Sequence, residues 1–329
     1  MIKRRTLIEL VGGAATAWPL VAHAQLATKP VARVGFLTPV SFAPGTAGGN
    51  LADVVIHRLE QLGYKNLEIE KRAAESHLER LPGLAGELLD KKVGVIVANS
   101  YPAAAAAQRA TKTVPIVIVS AGDPVKTGLV VSLAHPGGNV TGVSDVAAEL
   151  APKRLELLKE MAPGLKRVAM LWNASDLGMT TRYDASAAAA KQLGMVVQPV
   201  GVREPDDFEL ALAAMNREMP DGMLMVADSL TFLNRKRVYE FAAKHRLPTI
   251  FEFANFVQDG GLMSYGPDNT ESRESVARFV DRILKGARPA DLPLEQPTRF
   301  RLVINLKAAK ALGLTIPSTL LARADEVIE

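Results

Sequence analysis

The sequence predicts an α/β protein built from two doubly wound, parallel-sheet lobes with a cleft between them and a hinge made of several chain crossings. Three observations carry this prediction. From Val31 onward, short β-rich apolar runs alternate with longer amphipathic segments, the pattern of parallel βαβ units. The same order of segments is written twice. Landmarks in the two copies also stay in register: Gln61-Leu62-Gly63 returns 131 residues later as Gln192-Leu193-Gly194, Asn99-Ser100 returns 129 later as Asp228-Ser229, and Val114-Pro115 returns 133 later as Leu247-Pro248.

In the first copy, Val31–Leu37 (VARVGFL) reads as a buried strand, followed by a helix over 48–62, a strand near 67–70, a helix over 78–90 and the strand VGVIVA at 93–98. A helix over 101–111 and the strand VPIVIVS at 114–120 complete it. In the second copy the strands are 167–172, 195–200, 222–227 and 247–251, and the helices 178–192, 206–217 and 230–245. The glycine-rich stretches HPGGNVTGVS (135–144) and DGGLMSYG (259–266) follow the two copies and read as crossings between lobes. A helix over 268–285 and the C-terminal segments 299–314 and 317–328 then return to pack on the lobes. This divides the chain into lobe 1, 31–143 plus 264–293, and lobe 2, 144–263 plus 294–329.

The first 24 residues read as an export leader: Lys3, Arg4 and Arg5, an apolar stretch over 7–20, and Ala22-His23-Ala24 as an A-x-A cleavage site. The apolar stretch is shorter than the roughly 20 residues that span a bilayer. Cleavage after Ala24 would lower the formal charge from +4 to +2, with 36 basic against 34 acidic side chains. That near-neutral balance points away from nucleic acid. Apolar residues make up 48% of the chain and aromatics 5%, so alanine, valine and leucine must fill most of the core. There is no cysteine, hence no disulfide, thiol nucleophile or cysteine metal site.

In open parallel sheets, ligands bind beyond the carboxyl ends of the strands. The repeated corners, Asn99-Ser100 and Asp228-Ser229, stand there, each before a helix that its serine could cap. One corner is neutral and offers the N–H groups of a helix start; the other carries a carboxylate. Together they suit a zwitterion, with its carboxylate toward the first lobe and its ammonium toward the second. Simple helix capping is the competing reading. Thr38, Ser41 and Phe42 follow the first strand; Ser120 and Asp123 follow the fourth, where Asp123-Pro124 also suits a turn. Trp172, Asn173, Ser175 and Asp176 follow the first strand of the second copy, with Trp172 either core or a ligand platform. Glu252 follows the last and could be a second partner for a cation or an ordinary surface acid. The chain has no G-x-G-x-x-G after a strand, no Walker motif, no G-x-S-x-G and no H-E-x-x-H, and His57, His77, His135 and His245 lack ligand spacing. No catalytic residue, metal site or cofactor is therefore assigned.

Several stretches resemble the extracytoplasmic solute-binding proteins of ATP-driven importers: the leader itself, HPGGNVTGVS, KRLELLKEMAP, GGLMSYG, RILKGARPADLP and INLKAAKALGLTIPSTLLARADEVIE. Within these the chain is similar to the subfamily that includes tryptophan- and other aromatic-amino-acid-binding members. The resemblance implies the type I periplasmic binding protein fold. It also implies a periplasmic location, a monomer, and closure on a small amino-acid-like ligand about crossings near 140–144 and 262–266. Its partners would be a membrane permease and the cytoplasmic ATPase of that permease. By position, it implies ligand contacts from Thr38, Phe42, Asn99, Ser100 and Asp123 in the first lobe and from Asn173, Asp176, Asp228, Ser229 and Glu252 in the second. A periplasmic sensing module for a membrane receptor and an exported hydrolase are the alternative functions.

Overall fold

The computed structural model describes residues 31–329; the expected leader over 1–24, with its cleavage after Ala24, lies outside the described residues. Strands β1 (Ala32–Thr38), β2 (Leu67–Ala73), β3 (Val95–Asn99), β4 (Ile116–Val119) and β5 (Val140–Gly142) form an all-parallel sheet in the order β2-β1-β3-β4-β5. The second sheet comprises β6 (Arg167–Asn173), β7 (Val196–Val202), β8 (Gly222–Met225), β9 (Thr249–Phe251), β10 (Met263–Pro267), β11 (Phe300–Asn305) and β12 (Glu326–Ile328). Its order is β12-β11-β10-β9-β8-β6-β7, parallel except for the β10–β11 pair. Without its last two strands, the second sheet repeats the strand order of the first.

Each sheet is buried on both faces because successive side chains point to opposite sides. In β3, Val95 and Val97 pack with α1 (Ala47–Gln61) and α10 (Asn269–Leu284), while Ile96 and Ala98 pack with α2 (Leu81–Asp90) and α3 (Tyr101–Ala110). All five alanines of Ala103–Ala107 are buried, so α3 contributes close backbone approach where bulk is lacking. In the second sheet, Val168, Met170 and Trp172 pack with α4 (Ala151–Met161) and α5 (Leu177–Gln192). Ala169 and Leu171 pack with α6 (Asp207–Arg217) and α8 (Arg235–His245).

The helix expected over 230–245 is two: α7 (Ser229–Leu233) ends at Asn234, whose side-chain amide donates to the Leu230 carbonyl at 2.9 Å, and α8 starts afresh. Among the described residues there are also three short α-helices, α9 (Ala254–Gln258), α11 (Leu306–Leu312) and α12 (Ser318–Leu321). Among the described residues no helix is long and apolar enough to cross a membrane.

The chain passes between the sheets three times. It leaves β5 for α4 on the second sheet, returns after β10 so that α10 packs on α1, β3 and β4, and leaves again near Glu295 for β11. The first and third crossings are tied together: the Ser144 amide donates to the Glu295 carbonyl at 2.9 Å and the Glu295 amide to the Gly142 carbonyl at 3.0 Å. All of β10 belongs to the second sheet, so the second crossing falls at Pro267–Asp268, later than the sequence suggests. Just before it, Gly266 passes so close to β9 that a Cβ there would lie 1.8 Å from the Glu252 carbonyl oxygen. Gly266→Ala should therefore lower stability by at least about 2 kcal/mol; an unchanged urea midpoint would contradict this packing.

Candidate functional site

The carboxyl ends of the strands of both sheets face each other across a cleft of about 270 Å³. The wall on the first-sheet side is the loop after β1 running into α1, then Glu75-Ser76, Asn99-Ser100 and Val119-Ser120. The opposite wall is Met179, Ala227-Asp228-Ser229, Phe232-Leu233 and the Phe253–Phe256 segment. Asn269, Ser272 and Arg273 from the start of α10 complete the rim. The strand order places β1 beside β3 and β6 beside β8, and a doubly wound sheet opens a crevice where its chain order reverses.

The backbone of the first wall is strained. Glu75, Ser76, Ser100 and Ser120 all have positive φ (53°, 67°, 89° and 55°), although none is glycine. Such residues cost about 1–3 kcal/mol each and cluster at ligand sites. Ser100 was expected to cap α3; its φ of 89° and ψ of 162° turn the side chain away, no side chain caps the helix, and Ser100 Oγ is buried without a partner.

The opposite corner is built differently. Ser229 is not the cap of α7; Asp228 is. Asp228 Oδ1 accepts from the Thr231 amide at 2.7 Å, while the Thr231 hydroxyl accepts from the Asp228 amide at 3.0 Å, a reciprocal capping box. Asp228 Oδ2 is buried and has no hydrogen-bond partner. Burial raises its pKa above the ordinary carboxylate range, against the pull of the Thr231 amide and hydroxyl, Asn173 and Arg182. Phe232 and Phe256 meet edge to face at 5.5 Å beside it and give this wall an aromatic floor.

Behind Asp228 lies a buried cluster of four charges, Asp145, Arg154, Arg182 and Glu252, none more than 4% exposed. Glu252 Oε2 accepts from Arg182 Nη1 at 2.5 Å and from the Ala227 amide at 2.9 Å, and Glu252 Oε1 accepts from Arg154 Nη1 at 3.2 Å. Arg182 also donates to Asp145. Arg154 donates to the Ala147 and Tyr265 carbonyls, both at 2.7 Å. Burial by itself would lower the pKa of Arg182, but Asp145 and Glu252 outweigh it and hold the guanidinium firmly charged.

Of the ten residues expected at the site, Asn99, Ser100, Asp228 and Ser229 line the cleft, and six do not. Thr38 is buried at the end of β1, where its hydroxyl accepts from the Asn99 amide at 3.4 Å. Phe42 turns into the core against Phe36. Asp123 caps a local turn, accepting from the Val125 and Lys126 amides, both at 3.0 Å. Asn173 and Asp176 sit one layer behind Asp228; Asn173 Oδ1 accepts from Ser175, and Asp176 caps α5 through the Gly178 and Met179 amides. Glu252 meets two arginines of the protein in place of a ligand cation. Trp172 is core, stacked on Tyr183 at 4.1 Å.

Residues that the strand-end reading missed include Phe232, Phe253, Phe256 and Arg273. The phenylalanines lie a few positions beyond β8 and β9, where a wider window would have caught them. Arg273 has no local signal, because only the return of α10 to the first sheet brings it to the cleft.

A sequence model of the family described as ABC transporter substrate binding protein matches residues 47–328. A tyrosine-binding protein of Clostridioides difficile is 29% identical over 262 residues, covering 79% of this chain and 75% of that one. Among solved structures, an ABC domain in complex with L-Trp from Streptococcus pneumonia is 27% identical, with a TM-score of 0.83 over 90% of this chain and 99% of that one. The ligand-free, open structure of a substrate-binding protein with adhesive properties from Clostridium difficile is 26% identical, with a TM-score of 0.65 over 91% and 99%. A leucine-binding protein from Thermotoga maritima, 16% identical, shares the fold alone, with a TM-score of 0.57 over 79% and 77%.

The buried charges make two measurable demands. Glu252→Gln leaves two buried guanidinium groups short of a counter-charge and should cost about 3–5 kcal/mol by urea denaturation. Asp176 is pushed from its ordinary 3.8 to about 7, first by burial and then by the charge of Asp228. Between those pH values the folded state holds a proton that the unfolded chain has lost, so this group favours folding at low pH and the benefit fades as pH rises through 7. Asparagine caps a helix as well as aspartate. Asp176→Asn should thus gain on wild type by up to about 1.4 kcal/mol per pH unit across that window; a constant difference from pH 5 to 8 would contradict it.

Proposed function

Because the chain belongs to the ABC transporter substrate-binding protein family, we propose that it captures an amino acid with an aromatic or large apolar side chain and presents it to a membrane transporter. The observation that carries this reading is Asp228: a carboxylate held rigidly by its capping box, with Oδ2 buried and unpartnered, beside the phenylalanine wall of the cleft. An ammonium supplies the missing partner and favours the ionised form that burial opposes. The rings of Phe232, Phe253 and Phe256 suit an apolar side chain. The carboxylate then faces the first-sheet side.

The relatives support this class of ligand, one being a tyrosine-binding protein and another a complex with L-Trp. They also support binding by closure. At nearly equal identity, the chain superposes better on the L-Trp complex than on the open, ligand-free structure, with TM-scores of 0.83 and 0.65. Gly178, at the start of α5, abuts the first-sheet side: a Cβ there would lie 3.1 Å from Tyr101 Cβ and 3.3 Å from the Ala121 carbonyl oxygen. Ligand that touches both walls favours the closed arrangement by its differential contacts. In this reading the leader is removed after Ala24, the mature chain works as a periplasmic monomer by binding without turnover, and the transporter is a permease driven by its own ATPase.

Two measurements test the reading. L-tryptophan or L-tyrosine at a hundredfold excess over Kd should stabilise the purified protein by about 2.7 kcal/mol in thermal unfolding. Asp228→Asn keeps the helix cap but removes the charge, and should weaken binding by about 2–5 kcal/mol. No shift with any amino acid, or full affinity in the variant, would overturn it.

A further inference from the structure

We infer that Arg273 recognises the ligand carboxylate and so restricts the cleft to solutes that carry one, an inference that rests on the amino-acid reading above. Arg273 lines the cleft from α10, the helix that returns to the first sheet after the second crossing. Among the described residues, none of its neighbouring acids forms an ion pair with it. Asp268 caps α10 through the Thr270 amide and faces Arg299 at 3.7 Å. Glu271 is taken up by the Thr298 hydroxyl at 2.6 Å and the Arg299 amide at 3.1 Å. The positions three and four residues away on α10, Asn269, Thr270, Val276 and Ala277, offer no carboxylate for an intrahelical pair. Glu75 is the other charged group on this wall, and it is exposed at the rim.

Arg273 is only partly exposed, and loss of hydration lowers the pKa of its guanidinium, with only Asp268 opposing this. A guanidinium drawn out of water without a counter-ion is costly, and a planar carboxylate is the group that its forked donors match. Asn269 and Ser272 beside it add polar atoms for the same ligand end. The cleft then has a cationic pole on α10 and an anionic pole at Asp228, borne by opposite walls. An α-amino acid satisfies both, whereas an amine or an acid satisfies one.

The test compares L-tryptophan with tryptamine, which lacks only the carboxylate, on wild type, Arg273→Gln and Arg273→Lys by calorimetry. Wild type should bind L-tryptophan at least about thirtyfold more tightly than tryptamine. Arg273→Gln should abolish most of that ratio by weakening L-tryptophan alone, with Arg273→Lys in between. Equal wild-type affinity for the two compounds would overturn the inference whether or not a variant folds. So would an unchanged ratio in Arg273→Gln, or an equal loss for both ligands, and each of these leaves the amino-acid reading standing. Failure of wild type to bind L-tryptophan, L-tyrosine or any other amino acid would overturn both together.

Discussion

The cleft depends on a buried ion cluster that lies behind its lining residues. Glu252 holds Arg154 and Arg182, Arg182 reaches Asp145, and the four charges come from four places: the first crossing, α4, α5 and the end of β9. Each charge would be very expensive to bury alone, and two cations with two anions are affordable only when every pairing is kept. The cluster therefore locks the first crossing to the helices and strand ends of the second sheet. Its reach extends one step further, because Glu252 also accepts from the Ala227 amide, the residue before Asp228. The position of the cleft carboxylate is thereby tied to the packing of α4 and α5.

The same cluster sets the electrostatics of the anionic wall. Asp176 and Asp228 are close enough that the charge of one raises the pKa of the other, and Arg182 pulls in the opposite direction. Capping bonds hold one oxygen of each, from the Gly178 and Met179 amides for Asp176 and from the Thr231 amide for Asp228. The second oxygen of Asp228, Oδ2, is left buried without a partner. On the reading proposed above, an ammonium would meet a side chain already ordered by its capping bonds.

The two halves share a strand order but have diverged where it matters for chemistry. In the first, the corner after β3 is strained, uncapped and neutral; in the second, the corner after β8 is relaxed, capped and acidic. Strain recurs at the first crossing, where Val146, a β-branched residue, has a φ of 48° one position after Asp145. The crossing is thus stressed beside the ion cluster that pins it. On the closure reading proposed above, a segment held in that way would have a defined arrangement to return to after each opening.

Much of the architecture was legible in the sequence because it rests on local chemistry repeated in register. Alternating apolar runs, Pro102 in the first turn of α3 and the Gln-Leu-Gly helix ends placed the parallel units of both halves. The rule that ligands bind beyond strand ends located the cleft and picked out Asn99, Ser100, Asp228 and Ser229. It could not separate lining residues from those one layer deeper. Asn173, Asp176 and Glu252 stand at strand ends as well, and only the packing of α4 and α5 buries them behind Asp228. Arg154, Arg182 and Arg273 carried no local signal at all. A charge on a helix reads as solvated until the tertiary structure brings another element over it, and the acidic partners of Arg154 and Arg182 are supplied by segments far away in the chain. The sequence by itself determined the two sheets and where their strands end. The tertiary structure decided which side chains meet across the cleft, because burial and pairing of charge depend on which distant elements come to lie side by side.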